Sequence, residues 1–298
     1  MNVLVYGNCQ CKVISSYLSE QPFFKNSLVK YFFVTHPVEM LDLEFVRKVD
    51  IFIYQHVKQS SLISQYPKTS LFHYTPEGLI TAMKPSVKFI SIPSIYFSAL
   101  YPNSYSVDEM RPRLPKTTKI DWFFNHTFNK KVFDALEKNE PTETIANILL
   151  DSELYTSQFI EKNVVQSLSN LRWREKENKV DIPISDFLEK NYKLKQLSWT
   201  TNHPTKFVFN YIIQQILIIL DLPPDHTLLE RPDKLDQDIY PIFSCVRKYL
   251  CLDPIEFPLQ ARVNNRKFTD MNRYIQFYKD TLDGKNIGEL YPQDKILS

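Results

Sequence analysis

Cys9 stands near the start of the chain, in the run Tyr6-Gly7-Asn8-Cys9-Gln10. The apolar run at 2–6 predicts a strand, and the spacing of the apolar residues at 13–18 predicts a helix directly after it. Free N–H groups and the dipole at a helix start favour a thiolate, so we expect a lowered pKa for Cys9. The same N–H groups are a candidate oxyanion hole for acyl transfer. Gly7 permits the tight turn that such a nucleophile needs; the alternative is that Cys9 is a small buried apolar residue.

Three further cysteines, Cys11, Cys245 and Cys251, accompany Cys9. A zinc site normally needs more widely spaced cysteine pairs or nearby histidines, and the C-x-C spacing of Cys9 and Cys11 does not provide one. We therefore predict structural thiols at the other three positions and no metal. The first residues do not resemble a secretion signal, so we expect a reducing cytoplasm and no disulfides.

His203 is the first candidate for a general base among the six histidines. It lies in Thr201-Asn202-His203-Pro204-Thr205, directly before an apolar helix predicted at 205–220, and a rigid helix start holds a base well. Weaker candidates follow predicted strands or an aromatic loop: His36, His56 and His126. We expect structural or surface roles for His73 and His226.

Strands and helix-length spacers alternate in the first third of the chain, with strands predicted at 2–6, 29–35, 50–55 and 87–92 and a short one at 71–74. Such alternation is typical of a parallel sheet. The proline- and aromatic-rich stretch 93–115 is too broken for regular structure. Helices are predicted at 129–139, 141–150, 153–178, 183–191, 205–220 and 268–282. We thus predict an α/β fold: a short parallel sheet with βαβ crossovers in the N-terminal third, then a helix-rich remainder.

Ligands of open parallel sheets bind beyond the carboxyl ends of the strands. The residues that follow the predicted strands are Gly7, Asn8, Cys9 and Gln10, then His36, then Gln55 and His56, and finally the loop that contains Tyr96. We expect these thiol, imidazole and amide side chains to converge at one edge of the sheet.

The composition excludes some ligand classes. Among 298 residues, 36 Lys and Arg oppose 34 Asp and Glu, and only four residues are Gly. No glycines have the spacing of a dinucleotide fingerprint or a Walker loop, and the near-neutral charge gives no indication of a nucleic-acid partner. No segment is long and apolar enough to predict a membrane span.

A phosphate-bearing ligand would therefore be held by helix N-termini, arginine and lysine. Arg111 and Arg113 flank Pro112, and Lys12 follows the Cys9 turn. We treat these three as candidate cofactor contacts. The alternative is that they are ordinary exposed charges.

Several short motifs resemble, in order, those of the WcbI-like polysaccharide biosynthesis enzymes, acetyltransferases of bacterial capsule pathways. The motifs are Gly7-Asn8-Cys9-Gln10, a strand ending in Gln55, Ile92-Pro93-Ser94-Ile95-Tyr96-Phe97, Arg174-Glu175 leading to Ser185-Asp186-Phe187, and Asn202-His203-Pro204. The resemblance implies coenzyme A as ligand, acetyl-CoA as donor and a capsular sugar or sugar-nucleotide hydroxyl as acceptor. It favours Cys9, Gln10, Gln55 and His203 as site residues, with Asn8 and Asn202 as polar partners.

One departure concerns the stretch Ala99-Leu100-Tyr101-Pro102-Asn103. The family commonly has Gly, His and Asp around this second proline, so a different acceptor is expected if the stretch touches it. The resemblance covers roughly residues 1–222. We predict a catalytic core there, with the sheet at about 1–115 and a helical part at about 116–222, and an extension at 223–298 packed on the core.

The predicted function is acyl transfer, by either of two routes. In the first, the Cys9 thiolate takes the acetyl group and passes it to the sugar, with His203 as base. In the second, His203 deprotonates the sugar hydroxyl for direct attack and Cys9 only lines the oxyanion site. A cysteine hydrolase of esters or thioesters fits the same residues, as does a non-catalytic module that binds coenzyme A or a nucleotide. Capsule assembly proteins or further copies of the chain are the partners that this function would suit.

Overall fold

The computed structural model describes residues 1–34, 41–56, 76–105, 107–113, 128–225 and 227–293. These residues form two compact units. The first unit contains Met1–Ile95, Asn170–Asp186 and Lys206–Pro232. The second contains Tyr96–Ser169, Phe187–Thr205 and the chain from Asp233 onwards. The division into a core at 1–222 and an extension at 223–298 stays a prediction.

A four-stranded parallel sheet forms the centre of the first unit. Its strands are β1 (Asn2–Gly7), β2 (Leu28–Phe33), β3 (Ile51–Gln55) and β4 (Lys88–Ile92), in the spatial order β2-β1-β3-β4. All neighbouring strands are parallel, which confirms the predicted N-terminal fold. Since the chain adds β2 on one side of β1 and β3 on the other, the carboxyl ends of β1 and β3 meet where the strand order reverses. Open α/β sheets bind their ligands at this switch point.

Short strands, helices and single turns of 3-10 helix make up the rest of the described chain. The helices are α1 (Cys9–Ser19), α2 (Leu43–Arg47), α3 (Pro76–Ala82), α4 (Val107–Met110), α5 (Lys130–Glu137), α6 (Thr142–Leu150), α7 (Ser157–Glu177), α8 (Ser185–Asn191), α9 (Lys206–Ile219), α10 (Ser244–Tyr249), α11 (Met271–Leu282) and α12 (Ile287–Leu290). The strands β5 (Ser104–Tyr105) and β6 (Phe128–Asn129) pair antiparallel, as do β7 (Ala261–Val263) and β8 (Arg266–Phe268). Turns of 3-10 helix lie at Pro22–Phe24, Arg111–Arg113 and Thr227–Glu230. The helix-rich remainder is thus confirmed.

Two sequence expectations need correction. The stretch 93–115, predicted to lack regular structure, contains β5, α4 and a 3-10 turn. The helix predicted at 268–282 begins only at Met271, because residues 266–268 pair as β8. The predicted strand 71–74 and four histidines, His36, His73, His126 and His226, lie outside the described residues.

Helices pack on both faces of the sheet in the first unit. On one face, Tyr6 and Phe52 lie in a buried cluster with Phe45 and Val46 of α2 and Leu79 of α3. On the other face, α1 buries Ile14, Tyr17 and Leu18, and the Tyr17 ring lies 6.0 Å from that of Phe209 on α9. Burial on both faces fits the nearly continuous apolar runs of the strands. This two-sided packing holds the carboxyl ends of β1, β3 and β4 in fixed positions.

The buried carboxylate of Glu175 explains one of the sequence motifs in structural terms. It accepts hydrogen bonds from the backbone N–H groups of Ile184 and Ser185, at 2.7 and 2.9 Å. These N–H groups lie at the start of α8, where no intrahelical partner exists. Glu175 therefore stabilises a helix start. Within the described part of the chain, no helix combines the length and apolarity needed to cross a membrane.

Candidate functional site

The turn after β1 carries the predicted nucleophile, Cys9, into the first position of α1. Asn8 is the N-cap residue, in extended conformation, and its side-chain oxygen accepts the Gln10 N–H at 3.0 Å. Asparagine at this position satisfies one N–H group that the helix leaves unpaired. The sequence Gly7-Asn8-Cys9 therefore folds as the predicted strand end, turn and helix start, and the structure adds that Asn8 caps the helix.

Gln55, the last residue of β3, reaches across to this turn. Its Oε1 accepts the backbone N–H of Asn8 at 2.9 Å. Its Nε2 donates to Oε1 of Gln10 at 2.8 Å and to the carbonyl of Pro93 at 3.3 Å. The side chain is fully buried. Gln55 thus links the ends of three neighbouring strands.

Gln10 extends the same network into the segment after β4. Its Nε2 donates to the carbonyl of Ile95 at 2.8 Å, and its Oε1 accepts the Ile95 N–H at 3.2 Å. Gln10 is also fully buried. With both ends of each amide engaged by the protein, Gln10 and Gln55 are placed to orient the turn, and their predicted contact with substrate stays a prediction.

Gly7 is required here by a close approach of side chain to backbone. A Cβ built on Gly7 would lie 2.8 Å from Cδ of Gln55 and 3.0 Å from its Cγ, with the Oε1 atom closer still. Contacts of that length are not tolerated, so any larger residue would displace the Gln55 side chain. The rare glycine before Cys9 therefore makes room for an amide.

The Cys9 thiol is half-buried. Its pKa is shifted upward, whereas the sequence predicted a downward shift. Burial raises the pKa of Cys9 to about 11, although the backbone N–H groups of Cys9 and Gln10 lower it in part. The predicted lowering by the helix start is present but is outweighed, because a half-buried sulfur loses the solvation that stabilises a thiolate. The expectation of a lowered pKa is therefore wrong, and the thiol is protonated at neutral pH.

Cys11, two residues on, is fully buried. Its Sγ lies 3.7 Å from the carbonyl oxygens of Gly7 and Phe32. Burial raises its pKa, and the proximity of Cys9 raises it further. These surroundings agree with the structural role predicted for Cys11. Among the described residues, no group of three or more His, Cys, Asp and Glu side chains is arranged to hold a metal ion.

His203 lies in a tight turn of the second unit. An isolated antiparallel bridge pairs Ser198 with Pro204, and the Trp199 N–H donates to the His203 carbonyl at 2.8 Å. The histidine side chain is buried, with 4% of its surface exposed. The turn is anchored further by the Phe97 N–H, which donates to the Thr201 carbonyl at 2.7 Å. The imidazole is thus held by a rigid turn, in the setting that the sequence predicted for a base.

The other predicted polar residues occupy different settings. Asn202 lies in the same turn as His203, and its Oδ1 accepts the Thr200 hydroxyl at 3.0 Å. Tyr96, also in the second unit, is 47% exposed. His56 is half-buried in the first unit with its ring 5.1 Å from that of Tyr54, and burial lowers its pKa against the opposing effect of Glu77 and Asp181. The described residues therefore bring Gly7, Asn8, Cys9, Gln10 and Gln55 together in one network.

Arg113 does not present an open guanidinium to a phosphate. It donates to Glu137 at 2.9 Å and to Asp134 at 2.6 Å, and hydrogen bonds to these carboxylates, Glu137 first, raise its pKa. Its guanidinium also lies 4.5 Å from the Tyr105 ring centre. A phosphate would have to displace two carboxylates, so this geometry argues against the predicted clamp. Arg111 lies in the same 3-10 turn, and Lys12 is exposed on α1.

The sequence did not indicate the backbone groups of Pro93 and Ile95, which bind the two glutamines. A backbone group can form such a hydrogen bond whatever its side chain is, so the residue type does not reveal it. The one available signal was Pro93 itself, which ends β4 and turns the chain toward the Cys9 turn.

A family model for the polysaccharide biosynthesis enzyme WcbI matches residues 2–225, about three quarters of the chain. The chain belongs to the WcbI family. The family match includes the Cys9 turn, Gln55 and the His203 turn, and it establishes polysaccharide biosynthesis as the family's enzymatic context.

A solved structure of WcbI, described as a novel polysaccharide biosynthesis enzyme, has the same fold. It is 18% identical in sequence, with a TM-score of 0.71 over 97% of this chain and 92% of its own. That structure is described as the native protein without a disulfide bond between coenzyme A and one of its cysteines. No curated protein matches the chain.

Proposed function

We propose that this member of the WcbI family is an acyltransferase that moves an acetyl group from acetyl-CoA to a hydroxyl of a sugar or sugar-nucleotide in the biosynthesis of a capsular or other surface polysaccharide. The observation that carries the proposal is the position of the Cys9 sulfur, half-buried at the start of α1 with the N–H groups of Cys9 and Gln10 beside it. The family's role in polysaccharide biosynthesis supports the acceptor class. The pairing of coenzyme A with a cysteine in the description of the WcbI structure supports the donor.

The chemistry of a thioester explains why such a turn would suit it. Attack on the acetyl carbonyl places negative charge on its oxygen, and N–H groups fixed before the reaction stabilise that charge. The helix start offers the backbone N–H of Cys9, since that of Gln10 is donated to Asn8 Oδ1. Asn8 offers its Nδ2, which is buried and has no hydrogen-bond partner among the described residues. Gly7, Asn8 and the α1 start are thus the proposed oxyanion site.

In the covalent route, a bond forms between the Cys9 sulfur and the acetyl carbon while the bond from that carbon to the sulfur of coenzyme A breaks. Coenzyme A leaves and takes up a proton. The acceptor hydroxyl then attacks the acetyl-cysteine, its proton goes to a base, and the Cys9 sulfur is released. We propose His203 as this base. Because the pKa of Cys9 is about 11, its proton must also be removed before the first step.

In the direct route, Cys9 stays protonated and lines the oxyanion site, while the base activates the sugar hydroxyl against bound acetyl-CoA. The raised pKa of Cys9 favours this second route, since only a small fraction of the thiol is ionised at neutral pH. Both routes give the same product, so the fate of the acetyl group must be measured.

Intact-mass measurement after rapid mixing with acetyl-CoA separates the two routes. An added acetyl group in the wild type and in Cys11→Ala, absent in Cys9→Ala, would establish the covalent route. No adduct under single turnover, together with retained transfer in Cys9→Ala, would exclude it and leave direct transfer. Loss of transfer to an acceptor sugar in His203→Gln, with the fold intact, is expected under either route.

Release of free coenzyme A thiol, measured with and without acceptor sugars, tests transfer against hydrolysis. Transfer predicts release that depends on the sugar, whereas an ester or thioester hydrolase releases thiol at the same rate without it. Binding of coenzyme A by calorimetry without any release would instead establish a non-catalytic module. We propose the cytoplasm as the place of the reaction, as the sequence indicated.

A further inference from the structure

The residues on either side of Cys9 are held by one and the same side chain, that of Gln55. Asn8, which precedes the cysteine, donates its backbone N–H to Oε1 of Gln55 at 2.9 Å. Gln10, which follows it, accepts a hydrogen bond at its Oε1 from Nε2 of Gln55 at 2.8 Å. The orientation of the Cys9 backbone between two such neighbours depends on where Gln55 lies.

Gln55 acts on the turn from a place that solvent does not reach. Its side chain is fully buried, and it passes so close to Gly7 that a Cβ there would overlap it. Gln10, its partner, is bonded in turn to both backbone groups of Ile95. The network therefore connects the ends of β1, β3 and β4 around the turn that carries Cys9.

An amide is suited to this place because it supplies an acceptor and two donors at once. The acceptor meets the Asn8 N–H, and the donors meet Gln10 and the Pro93 carbonyl. An ionised carboxylate has no donor, and an apolar side chain has neither. Each replacement would leave buried polar groups of the turn without partners, which is costly.

We propose that Gln55 is a positioning residue for Cys9. Its amide packs against Gly7 and fixes the backbone turn that presents the Cys9 sulfur to an acyl donor. Its value for catalysis rests on the proposed function, whereas its control of the sulfur does not. The lack of a side chain at Gly7 follows from the same contact, because a Cβ there would overlap Gln55.

The test uses p-nitrophenyl acetate, an acyl donor that contains no coenzyme A. Its acetyl group forms a bond to the Cys9 sulfur while the bond to p-nitrophenolate breaks, and the thiol proton passes to buffer. Acetyl-Cys9 is counted by peptide mass and identified by its removal with hydroxylamine. Catalysis by acetyl-CoA is not needed, so failure of the proposed function would leave this measurement valid.

We expect Gln55→Ala to slow acetylation of Cys9 by about tenfold, because shifted supporting groups commonly cost this much. Gly7→Ala should slow it similarly by displacing the same side chain. In the double variant the added methyl group meets no Gln55 side chain, so acetylation should match that of Gln55→Ala within about twofold rather than fall by the product of the two effects.

The matched control is Gln21, a glutamine in the first unit that is also buried and lies just after α1. Its Nε2 donates to the Tyr17 carbonyl at 3.3 Å, far along the helix from Cys9. Gln21→Ala should leave Cys9 acetylation within about twofold of wild type. Equal slowing in Gln21→Ala and Gln55→Ala, no slowing in Gln55→Ala, or fully multiplicative effects of Gly7→Ala and Gln55→Ala would each overturn the proposal.

Gln55→Glu keeps the test decisive if the alanine variants fail to fold. A protonated carboxyl retains an acceptor for Asn8 and one donor for Gln10, and an ionised one loses the donor. The acetylation rate of Gln55→Glu relative to wild type should therefore fall as the pH rises from 6 to 9, the range into which burial shifts a carboxyl. A ratio that does not change with pH would contradict a positioning role for the amide.

Discussion

The turns that carry Cys9 and His203 are built on different principles. Around Cys9 the holding groups are the side-chain amides of Gln55 and Gln10. They are bonded to each other and to the backbone of Asn8, Pro93 and Ile95. Around His203 they are backbone groups: Trp199 N–H to the His203 carbonyl at 2.8 Å, and Thr205 N–H to the Leu197 carbonyl at 3.0 Å. The His203 turn also has side-chain bonds to the Ser198 carbonyl, from Gln196 and Tyr101, but only the Cys9 turn is held mainly by side chains.

The two turns therefore differ in how well they tolerate substitutions. A turn held by backbone groups accepts many side chains, because the main-chain bonds survive substitution. A turn held by buried amides does not, since each lost amide leaves several polar groups without partners. We therefore expect substitutions near Cys9 to lower the free energy of unfolding far more than comparable substitutions near His203.

The largest effect is expected for Gln10→Met, which keeps the side-chain volume and removes three hydrogen bonds within the first unit. We expect a loss of about 3 kcal/mol in the free energy of unfolding, measured by urea denaturation. The control from the other turn is Gln196→Met, which removes a bond of 3.2 Å to the Ser198 carbonyl and should cost about 1 kcal/mol. Equal costs would remove the distinction between the turns.

Alkylation of Cys9 tests the solvation of the sulfur. Because the pKa of Cys9 is about 11, its thiolate fraction at pH 8 is about a hundredfold lower than that of a thiol whose pKa is two units lower. We expect iodoacetamide to modify Cys9 more slowly than the exposed Cys251. The Cys9 rate should rise about tenfold per pH unit from 7 to 10. A Cys9 rate that levels off below pH 8 would show that the helix start outweighs burial after all.

Gly7→Ala should destabilise the protein by about 2 kcal/mol, because its Cβ overlaps Gln55 and the neighbourhood must shift. Thermal denaturation measures the change. Gly288→Ala is the matched control, because the nearest atom to an added Cβ there lies 3.6 Å away. Alanine also has a higher helix propensity than glycine, so this substitution should not destabilise the protein. If the two variants have the same unfolding temperature, the close approach of Gln55 to Gly7 does not contribute to stability.

The smallest effect is expected for Thr205→Val in the His203 turn. Its hydroxyl is buried and has no hydrogen-bond partner among the described residues, so a methyl group of the same shape should change the free energy of unfolding by less than about 0.5 kcal/mol. Thr200→Val, which removes the bond to Asn202, should cost about 1 kcal/mol. A large loss in Thr205→Val would show that this hydroxyl supports the turn.

The sheet of the first unit was open to prediction from local patterns. Its strands are apolar, β-branched and aromatic runs, and β1, β3 and β4 end at Gly7, at Gln55 and directly before Pro93. The bounds of these three strands therefore agree with the predicted ones to within one or two residues. The edge at which site residues gather followed from strand direction alone. That Gln55 lies over Gly7 did not, because it depends on β3 pairing with β1.

Long-range surroundings also explain the two failures at the site. The Cys9 pKa depends on how strongly burial desolvates the sulfur, which position on a helix does not reveal. Arg113 was a candidate phosphate contact because of its neighbours in sequence, whereas its charge is neutralised by Asp134 and Glu137 of α5. Both outcomes depend on residues far along the chain, and neither has a local signature.

Single-turnover release of coenzyme A from acetyl-CoA, compared in wild type, Cys9→Ala and Cys11→Ala in the presence of acceptor sugars, tests the central role of the Cys9 turn most directly. If the Cys9 sulfur carries the acetyl group, Cys9→Ala should slow release by about a hundredfold or more, while Cys11→Ala stays near wild type. Release in Cys9→Ala as fast as in wild type would contradict a chemical role for the sulfur and leave the turn as a framework for binding.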